Sequence, residues 1–508
     1  MSGDNSQTII AHCIKSGSLD KPAIVVPNGP VITYSSLVDQ VDRVRGSLES
    51  MGLKRGDRVA VVLPNSIEAL ICFFAVTSVA TVAPLNPSYT SEEIKFYIED
   101  IGATTLITSE TSGIGIRESA PAHVNHIKVS LDDNGDMNLV FSGGNTSNQE
   151  TMVPNADDVA LILHTSGTTS RPKKVPLTHG NLLTSVNNIV GTYLLTEEDV
   201  SLCVMPLFHV HGLIASSLST FASGGTLLLP TPFNVIKFRD LISNYGATWC
   251  SAVPAIYQTV LNRIKVRDKV LNEPNQLRFL RSCSAALPGS LMLELEDQFG
   301  VPVLEAYGMT EASHQMSSNP LPPDKRVPGS VGKGTNVDIC IMDANGNILG
   351  ADTLGEIVIK GCNVINGYED NPLANIDSFT DGWFRTGDEG IIGEDGHLII
   401  KARIKEIINR SGEKIAPGEI DEVLMMHDAV VEAVAFGVPH SVRGEDPCAA
   451  VVTNYPVTSQ ELVSHCRLHL APFKCPRTIY VVDSIPRTAT GKVQRKKVAE
   501  YVLENLGI

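Results

Sequence analysis

HTSGTTSRPKKVPLTH, residues 164–179, packs five hydroxyl side chains and one glycine into Thr165–Ser170 and follows them with Pro172 and Lys173. Ahead of it runs DDVALILH, a compact apolar segment that reads as a buried strand. KVPLTH behind it reads as another strand, and GNLLTSVNNIV has helical spacing. A turn between two strands does not need so many donors. The stretch is expected to face a ligand rich in acceptors, with a solvated Ser/Thr hairpin as the alternative. Because Pro172 and a strand follow, no helix N-terminus is offered to a phosphate. Binding would rest on the hydroxyls, backbone N–H groups and the ammonium of Lys173.

The alternation around this loop sets the fold class. YSSLVDQVDRVRGSLESMG carries Leu37, Val41, Val44 and Leu48 on one helical face and ends at Gly52. DRVAVVLPN and TTLITS read as strands, and Thr90 with Glu93 has capping-box spacing before another helix. ALICFFAVTSVATVAPL, 69–85, is interrupted by Thr77, Ser78, Thr81 and Pro84. It falls short of the roughly 20 apolar residues of a membrane span and reads as a buried helix leading into a buried strand. GTLLLP, TWCSAVPAIYQTVL and LRFLRSCSAAL continue the rhythm. An α/β fold with largely parallel sheets follows. From about residue 335 short strands and Gly/Asp turns predict a small β-rich subdomain, and after Arg403 helix and strand alternate again. We expect a large N-terminal domain of α/β layers over 1–402 and a smaller C-terminal α+β domain over 403–508.

The 508 residues carry a formal net charge of −16, which argues against non-specific binding to nucleic acid or anionic membranes. Ten scattered cysteines without a CxxC pattern, and an N-terminus without a signal-peptide pattern, point to reduced thiols in a cytoplasmic protein. A peroxisomal address is possible, although the chain ends Leu-Gly-Ile rather than Ser-Lys-Leu. The assembly expected is a monomer or a simple homo-oligomer.

Neither a Walker pattern nor a G-x-G-x-x-G fingerprint is present: GKGTNVD at 332 and GKVQRK at 491 lack the required partners. Four further motifs follow the hydroxyl loop in order. EAYGMTEAS, 305–313, puts a tyrosine, a threonine and a carboxylate in one short loop. WFRTGDEG, 383–390, ends a strand with an aspartate in a tight turn. ARIKEIINRSGEKI opens the last domain, and PRTATGKVQRK, 486–496, carries a glycine-flanked lysine in a loop near the C-terminus. Together they resemble the adenylate-forming superfamily of acyl-CoA synthetases, coumarate-type CoA ligases, luciferases and peptide-synthetase adenylation domains, over essentially the whole chain.

That resemblance implies ATP, Mg²⁺ and coenzyme A as cofactors and co-substrates. A carboxylate attacks the α-phosphate of ATP, and the thiol of coenzyme A then displaces AMP. Thr165, Ser166, Gly167, Thr168, Thr169 and Lys173 would cradle the β- and γ-phosphates. Thr310 would meet the α-phosphate and Glu311 would ligate the metal. Tyr307 would stack on adenine, with Ser284, Ala285, Glu305, Ala306 and Gly308 along its edges. Asp388 and Arg403 would hold the ribose. Lys492 would bridge acid and phosphate, Lys405 would be the hinge, and Ser411–Gly412 would approach the coenzyme A channel. Two departures are visible: Ser170 stands where glycine is usual, and Asn409–Arg410 where many relatives carry a lysine at 409.

For the acid, MPLFHVHGL places His209 and His211 where related enzymes guard the acyl pocket, RSCSAAL supplies Ser284, and His314 follows Glu311 by three residues. Several polar, cation-capable groups suit a second carboxylate better than an alkyl tail. Metal ligation by His209 and His211 lacks a third ligand at suitable spacing. These segments look most like the oxalate–CoA ligase branch. The alternatives are a ligase for a medium-chain or aromatic acid, adenylation feeding a carrier protein in trans, and a non-catalytic nucleotide-binding protein.

Overall fold

The computed structural model describes residues 13–109, 115–116, 120–132, 135–142, 153–165, 172–266, 276–488 and 492–506. Two compact units form: Met1–Asp338 with Lys360–Ser378, and Ile339–Ile359 with Phe379–Ile508. The boundary anticipated near Arg403 falls inside the second unit's span.

The first unit carries two large sheets. One has seven strands in the order Met137–Ser142, Asn125–Leu131, Thr105–Ser109, Arg58–Val62, Thr81–Pro84, Val159–Thr165 and Lys173–Thr178. The other has nine, and its centre runs Val303–Met309, Phe279–Ser282, Trp249–Ala252, Val200–Cys203 and Thr226–Leu228, all parallel. Parallel strands buried on both faces read as continuous apolar runs, which is why VAVV and LILH are legible as strands.

Helix Tyr34–Ser50 buries Leu37, Val41, Val44 and Leu48 as its periodicity predicts. Thr90 and Glu93 form a reciprocal capping box on Ser91–Ile101. The apolar stretch from residue 69 resolves into helix Ile67–Thr77, capped by Ser66, and strand Thr81–Pro84. Leu70 through Thr77 are all buried, and each large apolar side chain there contributes about 1.5–3 kcal/mol. Among the described residues no helix is long and apolar enough to cross a membrane.

His179 opens helix His179–Tyr193, is 1% exposed, and has no hydrogen-bond partner on either ring nitrogen among the described residues. Burial lowers its pKa from 6.5 to about 4, opposed by Asp158. The unfolded chain therefore binds a proton near pH 6.5 that the folded chain refuses until about pH 4. The stability this neutral imidazole allows is present above pH 6.5 and falls by about 3 kcal/mol as pH drops to 4. His179→Met should flatten that part of the Tm–pH profile; a parent-like slope between pH 6.5 and 4 would assign the acid sensitivity elsewhere.

In the second unit, one five-stranded sheet contains Asp338–Met342, Gly355–Lys360, Phe379–Thr380, Trp383–Ile392 and Leu398–Arg403. A second contains Ile408–Arg410, Glu413–Ile415, Val430–His440, Gly444–Thr453 and Ile479–Val481. Helices Pro417–Met425 and Ser459–His469 bury Ile420, Leu424, Leu462 and Cys466 against Ala449 and Val451.

Candidate active site

The stem of the hydroxyl loop is an antiparallel pair in which His164 lies opposite Lys174 and Thr165 opposite Lys173. Ser166, Gly167, Thr168 and Thr169 lie outside the described residues. Lys174 Nζ meets Asp370 Oδ2 at 2.6 Å and Glu369 Oε1 at 3.2 Å, and Arg58 grips Glu369 with two bonds of 2.7 and 2.9 Å. These pairs fasten the stem to the 360–378 segment. Lys173 Nζ stands 4.2 Å from the centroid of the Tyr368 ring. Tyr368 Oη donates to Glu311 Oε1 at 2.8 Å, and Thr165 Oγ1 donates to the same oxygen at 3.5 Å.

Glu311 is 6% exposed, and among the described residues its side-chain hydrogen bonds come from these two hydroxyls. A buried carboxylate with no cationic partner among the described residues fits a metal ion. No group of three or more His, Cys, Asp or Glu side chains suited to a metal occurs among the described residues. The remaining ligands would have to be substrate oxygens and water, as is usual for Mg²⁺. Tyr368 is thus a component that motif reading missed: it lies 57 positions from Glu311 and joins no motif.

EAYGMTEAS is not one loop. Residues Val303–Met309 form a strand, Thr310–Ala312 a 3₁₀ turn, and His314–Ser318 returns antiparallel, with the register slipping between Tyr307 and Gly308. Glu305, Ala306, Tyr307 and Gly308 are therefore strand residues, and Thr310 and Glu311 sit at the hairpin tip. The short turn hid between two polar-containing strands. Gly308 is required there: an added Cβ would lie 1.9 Å from the His314 carbonyl oxygen.

His211, Ser284 and His314 come together beside this hairpin. His211 opens a buried π-helix, His211–Leu218, a local irregularity common at functional sites. The His211 and His314 rings stack with centroids 5.1 Å apart. His211 Nδ1 pairs with Ser284 Oγ at 3.1 Å and Nε2 with Ser251 Oγ at 2.7 Å. His209 is half-buried, and its Nδ1 accepts the His211 backbone N–H at 3.2 Å, turned back on its own turn. Ser284 and His314 hold φ of 73° and 99°, the strained left-handed side for non-glycine residues. Ala285 follows Ser284 in the same segment. Beneath the histidines lies Arg281, fully buried, donating to Ser251 Oγ at 2.8 Å and to His314 Nε2 at 3.2 Å. Arg281 and Ser251 were not singled out from sequence; an arginine inside the apolar run LRFLRSC was the available signal.

In the second unit, Asp388 is not in a tight turn. It lies within strand Trp383–Ile392, opposite Arg403, and Arg403 Nε meets its Oδ1 at 2.8 Å. Gly387 at φ 74° and a register shift at Glu389–Gly390 bend this strand, so its glycines mimic a turn in the sequence. Lys405 is exposed in the turn Ile404–Glu406. Ser411 and Gly412, with φ of 53° and 92°, join strands Ile408–Arg410 and Glu413–Ile415, a two-residue hairpin turn of the positive-φ kind. The backbone N–H of Lys492 donates to Thr488 Oγ1 at 3.0 Å; Gly491 is outside the described residues.

Next to the Ser411–Gly412 turn, Asp446 is buried under Arg410 at 3.0 Å, Arg443 and Arg477 at 3.3 Å, and His440 at 3.8 Å. Burial alone would raise its pKa; the Arg443 hydrogen bond and the charges of Arg410, Arg443 and His440 reverse this and hold the carboxyl below its ordinary value. Three guanidinium groups gather on the Asp446 carboxylate there, with Glu445 beside it in sequence and Glu413 across the strand from Arg410.

The family model for AMP-binding enzymes matches residues 13–369, and that for the AMP-binding enzyme C-terminal domain matches 419–492. The chain belongs to the AMP-binding enzyme family. The oxalate–CoA ligase of Arabidopsis thaliana is 44% identical to this AMP-binding enzyme over 496 residues, 96% of each chain. That of Saccharomyces cerevisiae (strain ATCC 204508 / S288c) is 42% identical over 95% of this chain and 94% of its own. The O-succinylbenzoate coenzyme A synthetase of Bacillus subtilis, solved with ATP and magnesium ion, aligns with a TM-score of 0.84 at 27% identity, over 97% of this chain and 99% of that one. The first family match of the AMP-binding enzyme ends at Glu369, the residue clamped by Arg58 and Lys174, and the second ends at Lys492.

Proposed function

We infer that this AMP-binding enzyme is an ATP-dependent oxalate–CoA ligase. One oxalate oxygen attacks the α-phosphorus of ATP, and pyrophosphate leaves; the thiolate of coenzyme A then attacks the oxalyl carbonyl, and AMP leaves. The observation that carries the acid is the buried polar cluster of His211, Ser284, His314, Ser251 and Arg281, which offers donors and charge where an alkyl or aromatic tail would need apolar walls. The 42–44% identity to oxalate–CoA ligases supports the same reading.

In this reading Glu311 would hold Mg²⁺, which when bound neutralises phosphate charge. Thr310 contacts the α-phosphate. Lys173 and the Thr165–Thr169 loop hold the outer phosphates. Tyr307 and the backbone at Ser284–Ala285 and Glu305–Gly308 receive adenine, and Asp388 with Arg403 the ribose. Lys492 bridges the acid and the reacting phosphate. Residues 403–508 act as the lid, turning at Lys405 between the two half-reactions.

The test is a panel of oxalate, malonate, acetate, hexanoate and coumarate with ATP, Mg²⁺ and coenzyme A, read as AMP and acyl-CoA. Oxalyl-CoA with oxalate alone is expected. AMP from hexanoate or coumarate instead would overturn the assigned acid and keep the chemistry.

In the same reading the guanidinium groups of Arg410, Arg443 and Arg477 beside Ser411–Gly412 would meet phosphates of coenzyme A. Arg443→Ala with Arg477→Ala should raise the KM for coenzyme A about tenfold or more, the scale of one or two lost charge-assisted bonds, and leave pyrophosphate release unchanged. An unchanged KM for coenzyme A would remove these guanidinium groups from its path.

A further inference from the structure

Arg281 lies in strand Phe279–Ser282, all four residues of which are buried between parallel neighbours Trp249–Ala252 and Val303–Met309. Its guanidinium donates through Nε to Tyr193 Oη at 2.7 Å, through Nη1 to Ser251 Oγ at 2.8 Å, and through Nη2 to His314 Nε2 at 3.2 Å and Gln315 Oε1 at 3.0 Å. The Cys283 side chain is a further hydrogen-bond partner of the guanidinium, and among the described residues none of these partners is a carboxylate. A guanidinium does not give up its proton in proteins, so the charge stays. Holding an ion out of water without a counter-charge costs several kcal/mol. Hydrogen bonds offset part of that cost, and the strained Ser284 and His314 backbones converge on the same place.

We propose that Arg281 is a positioning residue that selects a dicarboxylic acid: it supplies the positive charge that a second carboxylate completes, and it sets which way His314 and His211 donate. The proposal rests on the acid–CoA ligase reading above. A guanidinium only donates, so His314 Nε2 is an acceptor and its proton resides on Nδ1. At the other prong, Nη1 occupies one lone pair of Ser251, and in the proposed arrangement the Ser251 hydroxyl donates to His211 Nε2. His211 then donates from Nδ1 to Ser284, and the Ser284 hydroxyl is left to donate to the acid. Both histidines act as neutral, oriented donors. The cation comes from Arg281 rather than from an imidazolium, which replaces the expectation that the histidines supply the charge. An acid with an apolar tail would leave the guanidinium without a counter-charge.

The decisive comparison is oxalate against oxamate, the isostere in which the distal carboxylate becomes an uncharged carboxamide. On the wild-type enzyme, kcat/KM for adenylation should be about 100-fold or more higher for oxalate, the discrimination expected when a buried polar site loses its designed partner. Arg281→Met should bring that ratio close to one, mainly by raising the KM for oxalate, with ATP affinity by calorimetry nearly unchanged. Arg281→Lys, which keeps the charge and loses the fork, should retain about a tenfold preference. Should Arg281→Met fail to fold, the wild-type ratio and the lysine variant carry the test. A wild-type ratio near one, a methionine variant with the parental ratio, or equal losses in both variants together with lost ATP affinity would each overturn the role of Arg281. Wild-type turnover of oxalate with a ratio near one overturns this proposal alone, whereas turnover of a monocarboxylic acid without oxalate overturns the functional reading with it.

Discussion

Lys492→Ala should lower adenylate formation by about 10³-fold or more and leave thiolation of a chemically prepared acyl-adenylate within a few-fold of wild type. The first half-reaction brings a carboxylate onto a phosphate, so two anions meet in the transition state. On the proposed reading the Lys492 ammonium is the group that offsets their repulsion. About 4 kcal/mol of lost transition-state stabilisation corresponds to that factor of a thousand. In the second half-reaction the thiolate attacks a carbonyl carbon rather than a phosphorus. On the proposed reading the lid has turned at Lys405 and taken the Lys492 ammonium out of that step. Lys492 is half-buried, and its local anchor is a backbone N–H to Thr488, which truncation of the side chain leaves in place. Pyrophosphate release in the first step and AMP release from the prepared adenylate in the second are the two measurements. Equal loss in both would contradict the assignment of Lys492 to adenylation.

Glu311→Gln should reduce adenylation by about 10²–10³-fold at ordinary Mg²⁺, with partial recovery as Mg²⁺ is raised. Glutamine keeps an oxygen for the Tyr368 hydroxyl at 2.8 Å and for Thr165, so the hairpin tip stays in place and only the charge is removed. A neutral oxygen is a much weaker ligand for a hard cation, and the lost activity should therefore track metal concentration. Titrating Mg²⁺ at saturating ATP separates this from a general defect. A variant with the parental Mg²⁺ dependence would take Glu311 out of the metal's coordination and leave its bond to Tyr368 as a purely structural one.

The structural settings of the two variants differ in how far sequence foretold them. The strands on either side of the hydroxyl loop, the helix Tyr34–Ser50 and the Thr90–Glu93 capping box follow from local rules of periodicity and capping, and the structure bears them out. Asp388 reads as a turn residue because Gly387 and Gly390 look like a turn, whereas they bend a ten-residue strand. EAYGMTEAS reads as one loop because a three-residue turn between two strands has no local signature of its own.

The chain's alternating apolar runs determined an α/β fold, and its ordered motifs singled out Glu311, Lys492, His211, Ser284 and His314 as candidates. Local backbone preferences and the chemistry of short loops are written in adjacent residues, so one sequence suffices for them. The tertiary structure alone decided that Tyr368 holds Glu311, that Lys174 and Arg58 clamp Glu369, and that His211 stacks on His314. It also decided that Arg281 stands beneath both histidines with no carboxylate partner among the described residues. These contacts join residues tens to hundreds of positions apart. Parallel strands become neighbours through long crossovers, and burial creates the electrostatic cost that gives Arg281 its meaning; neither is expressed in local spacing.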